Sequence, residues 1–543
     1  MFCFQCQEAA GNKGCAVKGV CGKDDELSAL QDILIYALKG LSVCAQTSCA
    51  RGEDDDDNIG RFINRALFMT ITNANFDKER MSSAIVRAIE LREKARERMG
   101  DVSEEALEQC CRFRFAQGDD IKDKAKAAGI LSTEDQGLRS LKEFIVVAVK
   151  GIAAYAYHAR ILGFEDGQIY GFIRRALAVS QREKTQEALL NTLLEAGEYA
   201  VKAMALLDEA HTTTYGHPEI SPVNLGVRKN PAILISGHDL KDIDELLRQS
   251  EGQGVDIYTH CEMLCAHSYP ELKKYPHLAG NYGGSWWRQK EEFEAFNGPI
   301  IMTTNCLVPP AESYRDRLWT SGVAGYPGIK HIPERQSGRE KDFSSVISQA
   351  KKCPPPREIE TGIISGGFAH NQVLALADKI IAAIKSGAIK RFIVMAGCDG
   401  RQNARDYFTQ VARSLPRDTV ILTAGCAKYR YNKLNLGDIG GIPRIIDAGQ
   451  CNDSYSLALV ALKLKEVFGV DDINQLPISF DIGWYEQKAV AVLLALLHLG
   501  FKGIRLGPTL PAFVSPNVAA ILVERFAIKP TGDVRDDLTD MLC

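Results

Sequence analysis

Apolar residues recur at helical spacing from Asp25 to about Ala210. The rhythm of one buried helix face is clearest in the first such segment: Leu30, Ile33, Leu34, Ala37, Leu38 and Leu41. Few alternating runs of β-branched residues interrupt this pattern, and spacing of three and four residues is typical of amphipathic helices. The first two fifths of the chain are therefore predicted to be all-α.

The helical part contains an internal repeat. The segment 30–40 resembles the segment 141–151, and Phe62–Leu67 resembles Phe172–Leu177. Two matched segments at nearly the same offset indicate a duplicated unit rather than chance similarity. We expect two related helical bundles.

After Pro218 the pattern changes to short apolar runs that alternate with amphipathic segments, which is typical of βαβ units and parallel sheets. The predicted strands are Ala232–Ile235, Val255–Thr259, Ile300–Thr303, Ile393–Ala396, Val420–Thr423, Arg444–Asp447 and Ile478–Asp481. Three consecutive prolines within Lys351–Arg357 predict a linker. The fold class expected is a helical domain (1–217) followed by two Rossmann-like α/β domains (218–355 and 356–543).

Composition narrows the possible partners. The 65 Lys and Arg residues nearly balance the 69 Asp and Glu residues, so the net charge of −4 gives no sign of a nucleic-acid partner. The N-terminus lacks a secretion signal, and the longest apolar run, Ala489–Leu497, is too short for a membrane span. We expect a cytoplasmic protein, in which the 16 cysteines bind metal or react rather than form disulfides. The acidic run Glu53–Asp57 is interpreted as a solvated loop.

Four cysteines lie in one glycine-rich segment at the N-terminus. Their spacing is C-x2-C-x8-C-x5-C, formed by Cys3, Cys6, Cys15 and Cys21. Four thiolates on a flexible loop can surround one tetrahedral centre, and both zinc and iron–sulfur clusters accept four cysteines. Spacing alone leaves the two possibilities open.

Residues that commonly bind metals follow the predicted strands. They are His238, Glu262, Cys306, Cys398, Cys426, Cys451 and Glu486. Each one has a mundane explanation by itself, because buried Cys and His often only pack. Seven strand ends with such residues favour a metal centre, since ligands of open α/β sheets bind beyond the carboxyl ends of the strands. Thiolates suit soft metals and carboxylates suit harder, oxygen-bridged iron. Lys488 lies two residues after Glu486 and could supply charge or protons there, although a surface lysine is an alternative.

Several motifs, in order along essentially the whole chain, resemble those of the hybrid-cluster (prismane) proteins. Besides the N-terminal cysteines they are Ser236–Leu240, Thr259–Leu264, Asn305-Cys306, Gly397–Gly400, Gly425–Lys428, Gln450–Asp453 and Trp484–Lys488. The resemblance, to the short-spacing class of anaerobes, implies a 4Fe-4S cluster on the four N-terminal cysteines. It also implies a hybrid 4Fe-2S-2O cluster. The implied ligands of that cluster are His238, Glu262, Cys306, Cys398 as a persulfide, Cys426, Cys451, Glu486 and Lys488.

The same resemblance implies an activity, the reduction of hydroxylamine to ammonia and water, with nitric oxide reduction under nitrosative stress as a further role. Glu486, Lys488, His238 and Glu262 are the expected catalytic residues, as proton donors or releasable ligands. The N-terminal cluster would relay electrons. No G-x-G-x-x-G fingerprint opens a βα unit, so an external donor such as a ferredoxin or an NADH-dependent reductase is expected.

One departure from the family pattern and three alternative functions remain. Cys261 and Cys265 stand where Gly and Pro are expected in relatives; we interpret them as packing residues that leave room for extra thiol chemistry near Glu262. A carbon monoxide dehydrogenase-like nickel–iron enzyme shares the architecture, but the oxygen ligands Glu262 and Glu486 count against it. A redox sensor or protein S-nitrosylating factor would use Cys398. A pure electron carrier needs no oxygen-ligated iron.

Overall fold

The structure, a computed structural model, describes residues 1–49, 57–100, 103, 107–116, 118–336 and 338–543. Of the acidic run 53–57, only Asp57 is among them. The chain divides into two compact units. The helical unit comprises residues 1–206, 486–498 and 511–522, and the α/β unit comprises residues 207–485, 499–510 and 523–543.

The predicted helical character of the first part is confirmed. Its helices are α1 (Asp25–Cys49), α2 (Asp57–Met69), α3 (Lys78–Glu97), α4 (Gln109–Arg112), α5 (Ile121–Ala128), α6 (Gln136–Ile161), α7 (Gly167–Arg182) and α8 (Gln186–Tyr215). Aspartate side chains cap several N-termini; Asp77 accepts from the first backbone amides of α3, and Asp135 and Asp166 do the same for α6 and α7. The sequence therefore marks where these helices begin.

The internal repeat corresponds to matching helices. Its first segments lie in α1 and α6, and its second segments lie in α2 and α7. Helix α1 packs on α7, and α2 packs on α6, so the two related halves pack on each other. The last residue of each first segment is a glycine that allows close approach of a neighbouring backbone. A Cβ atom on Gly40 would lie 2.3 Å from the carbonyl oxygen of Cys110, and one on Gly151 would lie 2.6 Å from that of Gln487.

Strands and helices alternate in the rest of the chain. As far as residue 350 the elements are β1 (Ser221–Asn224), β2 (Ala232–Ser236), α9 (Leu240–Ser250), β3 (Asp256–His260), α10 (Pro270–Lys273), β4 (Leu278–Asn281), α11 (Gln289–Phe296), β5 (Ile300–Met302), β6 (Leu318–Thr320), β7 (Lys330–His331) and α12 (Ser344–Ala350). Those that follow are β8 (Ile363–Gly366), α13 (His370–Ala375), α14 (Ala377–Lys385), β9 (Arg391–Gly397), α15 (Asp406–Ser414), β10 (Thr419–Thr423), β11 (Asp438–Ile439), β12 (Ile442–Pro443), β13 (Ile445–Asp447), α16 (Ser454–Phe468), β14 (Ile478–Gly483), α17 (Gln487–His498), β15 (Arg505–Gly507), α18 (Pro516–Phe526), β16 (Lys529–Pro530) and α19 (Val534–Leu542). All seven predicted strands are present.

Two six-stranded parallel sheets form the α/β unit, which confirms the predicted α/β fold class. Their orders are β4-β3-β2-β5-β6-β7 and β13-β10-β9-β14-β15-β16. In each sheet the strand order reverses beside the first strand, between β2 and β5 and between β9 and β14. Such topological switch points open a crevice at the carboxyl ends of the strands, where ligands bind. The loops after these four strands are therefore placed for a site.

The chain returns to the helical unit late. Helix α17 follows β14 yet belongs to the helical unit, where it packs on α6. The triple-proline segment has no regular secondary structure. The division into three domains at 217 and 355 stays a prediction.

Helices α1 and α6 are long and apolar enough to cross a bilayer by length and composition. Their most apolar windows, however, are 78% and 89% buried inside the bundle. That degree of burial is typical of core helices in a globular bundle, so the length and composition of these two helices are only weak evidence for membrane spans.

Candidate metal centres

The N-terminal loop folds back on itself and brings its cysteines together. Cys3 and Cys15 form an antiparallel bridge, in which the Cys15 amide donates to the Cys3 carbonyl at 2.7 Å. Cys6, Cys15 and Cys21 are buried, and Cys3 is half-buried. A Cβ atom on Gly19 would lie 2.9 Å from the carbonyl oxygen of Lys23 and 3.3 Å from the Cys21 sulfur, so the turn before Cys21 needs glycine.

The electrostatics of this loop reflect crowded sulfur atoms. Burial, followed by the nearby Cys21 and Cys3, raises the pKa of the Cys6 thiol well above its ordinary value. Burial alone would lower the pKa of Lys23, but the Cys3 and Cys21 sulfurs beside it raise it overall. A loop of four thiols with a buried ammonium group suits a negatively charged thiolate-bound centre better than it suits free thiols.

Gln5 anchors this loop to two helices of the same unit. Its side-chain oxygen accepts from Lys150 Nζ of α6 at 2.9 Å, and its carbonyl accepts from Gln487 Nε2 of α17 at 2.9 Å. Gln487 lies between Glu486 and Lys488 in the sequence. The segment that carries these two predicted site residues is thus hydrogen-bonded to the backbone between Cys3 and Cys6.

Three predicted ligands from three strand ends converge in the α/β unit. The ligand atoms of His238, Glu262 and Cys451 all lie within 4.8 Å of one another, and all three residues are buried. His238 and Glu262 follow β2 and β3 of one six-stranded sheet, and Cys451 follows β13 of the other. Among the residues that the structure describes, this is the one group of three or more Cys, His, Asp or Glu gathered so tightly.

Hydrogen bonds fix the orientation of this group. The Nδ1 atom of His238 contacts the Thr304 hydroxyl at 2.9 Å, while its Nε2 atom lies 3.8 Å from Glu262 Oε2. That same carboxylate oxygen accepts from the Cys451 amide at 2.9 Å. Gln450 donates to the carbonyl oxygens of both His238 and Glu262, at 3.2 and 3.1 Å. The arrangement leaves Nε2 as the ring atom that faces the carboxylate.

Cys426, Cys306 and Cys398 occupy the neighbouring strand ends. The Cys426 sulfur lies 3.3 Å from the sulfur of Cys261. Contact with that thiol, followed by burial, raises the pKa of Cys426 well above its ordinary value, and the charges of Glu262 and Cys306 act in the same direction. Cys306 adopts a left-handed backbone with φ of 77°. The Cys398 amide donates to the Gly483 carbonyl at 2.7 Å, at the second switch point.

Glu486 and Lys488 lie in the helical unit, and both are buried. The Lys488 amide donates to Glu486 Oε2 at 2.8 Å, and its Nζ atom lies 3.7 Å from Oε1. The surface position that was an alternative for Lys488 is therefore wrong, since only 1% of this residue is exposed. Membership of both residues in the metal centre stays a prediction.

Sequence reasoning missed the polar residues that surround the predicted ligands. Thr304, Gln450 and Tyr429 were not identified as site residues, nor was the buried ion pair of Lys428 and Asp447. Burial would lower the pKa of Lys428, but Asp447 and Glu262 raise it overall, so this lysine stays charged beside the site. Position directly after a strand end, next to a predicted ligand, is the signal that could have found Thr304 and Gln450.

The donor set fits a mixed iron–sulfur–oxygen centre. Buried thiols, one imidazole and one carboxylate meet in the α/β unit, and such a mixture offers soft and hard ligands to the same group.

Comparisons with known proteins show to which family this chain is similar. The Prismane/CO dehydrogenase family matches residues 1–539. A hydroxylamine reductase from Nitratidesulfovibrio vulgaris is 60% identical and covers 100% of both chains. A hydroxylamine reductase from Halothermothrix orenii is 59% identical over 99% of this chain and 98% of its own. Among solved structures, carbon monoxide dehydrogenase IV from Carboxydothermus hydrogenoformans has a TM-score of 0.57 at 15% identity, covering 99% of this chain and 92% of that one. The last likeness concerns the fold alone.

Proposed function

The chain belongs to the Prismane/CO dehydrogenase family, and on that premise we propose that it is an iron–sulfur oxidoreductase that reduces hydroxylamine to ammonia and water. The observation that carries the proposal is the convergence of His238, Glu262 and Cys451 from three strand ends. Near-complete coverage of hydroxylamine reductases at 57 to 60% identity supports the choice of substrate.

Two centres are part of the proposal. Cys3, Cys6, Cys15 and Cys21 would hold a 4Fe-4S cluster. His238, Glu262, Cys306, Cys398 as a persulfide, Cys426, Cys451, Glu486 and Lys488 would hold a hybrid 4Fe-2S-2O cluster. When bound, the hybrid cluster supplies electrons and Lewis acidity toward the N–O bond. An external donor such as a ferredoxin or an NADH-dependent reductase would deliver the electrons in the cytoplasm.

The residues of the chain would handle protons. Reduction of hydroxylamine consumes two electrons and two protons and yields ammonia and water. When it is not bound to the metal, His238 can hold a proton at Nε2, because its Nδ1 atom contacts Thr304 and Nε2 faces Glu262. On the same condition Lys488 can hold a proton at Nζ, beside Glu486 Oε1. The side chains that would carry protons are all buried away from bulk water, so proton delivery would depend on them: His238, Glu262, Glu486 and Lys488.

Anaerobic purification followed by metal analysis and product measurement tests the proposal. We expect roughly eight irons per chain, the sum of two four-iron centres, with less sulfide than iron, and one ammonia formed for each pair of electrons taken from a reduced viologen dye. Zinc without labile sulfide, or no ammonia from hydroxylamine, would contradict it. Nickel in the protein would favour the carbon monoxide dehydrogenase-like alternative.

A further inference from the structure

Cys261 adopts a backbone conformation that residues other than glycine rarely adopt. Its φ angle is 56°, in the left-handed region, and only 1% of the residue is exposed. Glycine occupies this region without a steric penalty, whereas a cysteine is strained in it. Strained residues of this kind cluster at functional sites, where the surrounding structure holds them in place.

The strained residue presents its thiol to a predicted ligand. The Cys261 sulfur lies 3.3 Å from the Cys426 sulfur, well beyond the disulfide bond length of about 2.05 Å. Tyr429 donates from its hydroxyl to the Cys261 carbonyl at 2.8 Å. Because Tyr429 and Cys426 lie in the same short 3-10 helix, Cys426–Arg430, one turn both presents Cys426 and fixes the backbone of Cys261.

Other donors surround this pair of sulfurs. Glu262 follows Cys261 directly, and its carboxylate belongs to the group with His238 and Cys451. The charges of Glu262 and Cys306 both raise the pKa of the Cys426 thiol, which requires these two residues to lie near it. Two sulfurs bonded to one metal at about 2.3 Å lie no more than about 4.6 Å apart. The spacing of Cys261 and Cys426 meets that condition.

We propose that Cys261 is a further thiolate ligand of the metal centre in the α/β unit, bound on the same sulfur-rich side as Cys426. The inference rests on the proposed function only in placing an iron centre at these strand ends. Cys261 would lose its proton on metal binding, as thiol ligands do. An additional thiolate adds negative charge to the centre and so lowers its reduction potential.

Cys265 provides a matched control within the same short segment. It is also buried and lies four residues later, but its sulfur donates to the Glu262 carbonyl at 3.6 Å. A replacement there removes a thiol from the same 3-10 helix, Cys261–Ser268, without touching the pair of sulfurs. Any effect of Cys261 that Cys265 shares therefore reflects packing.

The test uses the full-length, anaerobically purified, iron-loaded protein as wild type, Cys261→Gly and Cys265→Ser. Mössbauer and EPR spectra, iron per chain, reduction potentials and the thermal unfolding midpoint are compared. We expect Cys261→Gly to change the spectrum of the second centre and raise its potential, with the N-terminal cluster unchanged. Its unfolding midpoint should stay close to that of the wild type, because glycine relieves the strain of the positive φ while the metal–sulfur bond is lost. Cys265→Ser should match the wild type in all spectra.

Three results would overturn the inference. They are spectra of Cys261→Gly identical to those of the wild type, an equal spectral change in Cys265→Ser, or a Cys261–Cys426 disulfide in peptide maps of the loaded wild-type protein. Hydroxylamine turnover, measured in parallel, separates this inference from the proposed function. If the spectrum of Cys261→Gly changes but the wild-type protein does not reduce hydroxylamine, Cys261 is a ligand and the proposed function is wrong. If the spectrum stays unchanged but the wild-type protein reduces hydroxylamine, the function is supported and Cys261 is not a ligand.

Discussion

The Glu262 carboxylate is held at a fixed point by groups from distant parts of the chain. Its Oε2 atom accepts from the Cys451 amide and faces His238 Nε2. A carboxylate in this position can bind iron through a negatively charged oxygen, which is the kind of ligand that harder metal ions prefer. The side chain of glutamine has nearly the same shape but is neutral.

We therefore expect Glu262→Gln to lose the iron of the second centre, roughly half of the total if each centre holds four irons, and to lower ammonia formation by about 100-fold or more. Iron per chain and ammonia yield measure the two effects. The matched control is Glu292→Gln, because Glu292 is also a buried carboxylate that faces a histidine, with Oε2 3.0 Å from His260 Nε2. Equal iron content in the two variants would argue against Glu262 as a ligand.

Asp481 shows the energetic effect of one buried acid. Burial raises its pKa to about 8, although Arg505 acts to lower it. The ordinary value is 3.8, so between pH 3.8 and about 8 the folded state keeps a proton that the unfolded state has released. The contribution of Asp481 to stability is therefore full below this window and is lost as the pH rises through it.

We expect Asp481→Asn to flatten the fall in thermal unfolding temperature between pH 5 and 9, because the amide cannot ionise. The difference at the upper end corresponds to on the order of 5 kcal/mol. Melting curves recorded anaerobically at each pH measure it, with the exposed Asp471→Asn as control. Parallel pH profiles for wild type and Asp481→Asn would refute this view of Asp481.

Residue type explains why candidate ligands could be proposed from the sequence while the polar residues that contact them could not. Cys, His and Glu directly after a strand are chemically conspicuous, and the candidates were chosen on that basis. Thr304 and Gln450 are ordinary polar residues whose role depends on partners 66 and 212 positions away. The importance of Cys261 likewise depends on a φ angle and on a contact across 165 positions, neither of which the sequence displays.

At the scale of elements, apolar content decided which strands could be predicted. Strands such as β2 and β10 are fully buried and are built around three or four consecutive apolar residues. The missed strands are shorter or less apolar: β4 contains Gly and Asn, and β16 is a two-residue edge strand that includes Pro530. Edge strands pair on one side only and need no continuous apolar run, so their positions follow from the sheet rather than from local sequence.

Close helix packing in the bundle depends on the repeated glycine. A Cβ atom on Gly151 of α6 would lie 2.6 Å from the Gln487 carbonyl and 2.8 Å from the Ala491 Cβ atom of α17. We expect Gly151→Ala to push α17 away and to destabilise the protein by about 1–3 kcal/mol. Because α17 begins directly after Glu486 and contains Lys488, hydroxylamine turnover should fall as well. Chemical denaturation and turnover measure the two effects.

Gly171 of α7 is the matched control, since a Cβ atom there would meet nothing within 4 Å. Alanine at this position should stabilise the helix by about 0.5–1 kcal/mol, because glycine is a poor helix former. If Gly151→Ala behaved like Gly171→Ala, close approach of α17 would not be what the glycine provides.

At the scale of the molecule, the chain passes between its two units five times, after residues 206, 485, 498, 510 and 522. The helical unit is therefore incomplete without late segments of the chain. Helix α17 covers α6 and also approaches α8, where a Cβ atom on Gly197 would lie 2.4 Å from the Leu494 carbonyl. Sequence reasoning divided the chain linearly and could not foresee this return, because the apolar run 489–497 fits a buried helix in either unit.

We expect the fragment 1–217 to be poorly soluble and to melt without cooperativity, since the apolar faces that α17 covers would be exposed. The same fragment with residues 486–498 attached through a flexible linker should be more helical and melt at a higher temperature. Circular dichroism of both fragments measures the difference. A sharp, equally stable transition for the fragment 1–217 alone would contradict the dependence on α17.

The late return of α17 also bears on how the protein is made. During translation Cys3, Cys6, Cys15 and Cys21 leave the ribosome long before the helix that anchors their loop through Gln487, which follows more than 450 residues later. The nascent loop is thus made long before its final support. Stable insertion of the proposed N-terminal cluster would accordingly wait for α17, so iron and sulfide would have to be delivered after residues 487–498 have been synthesised.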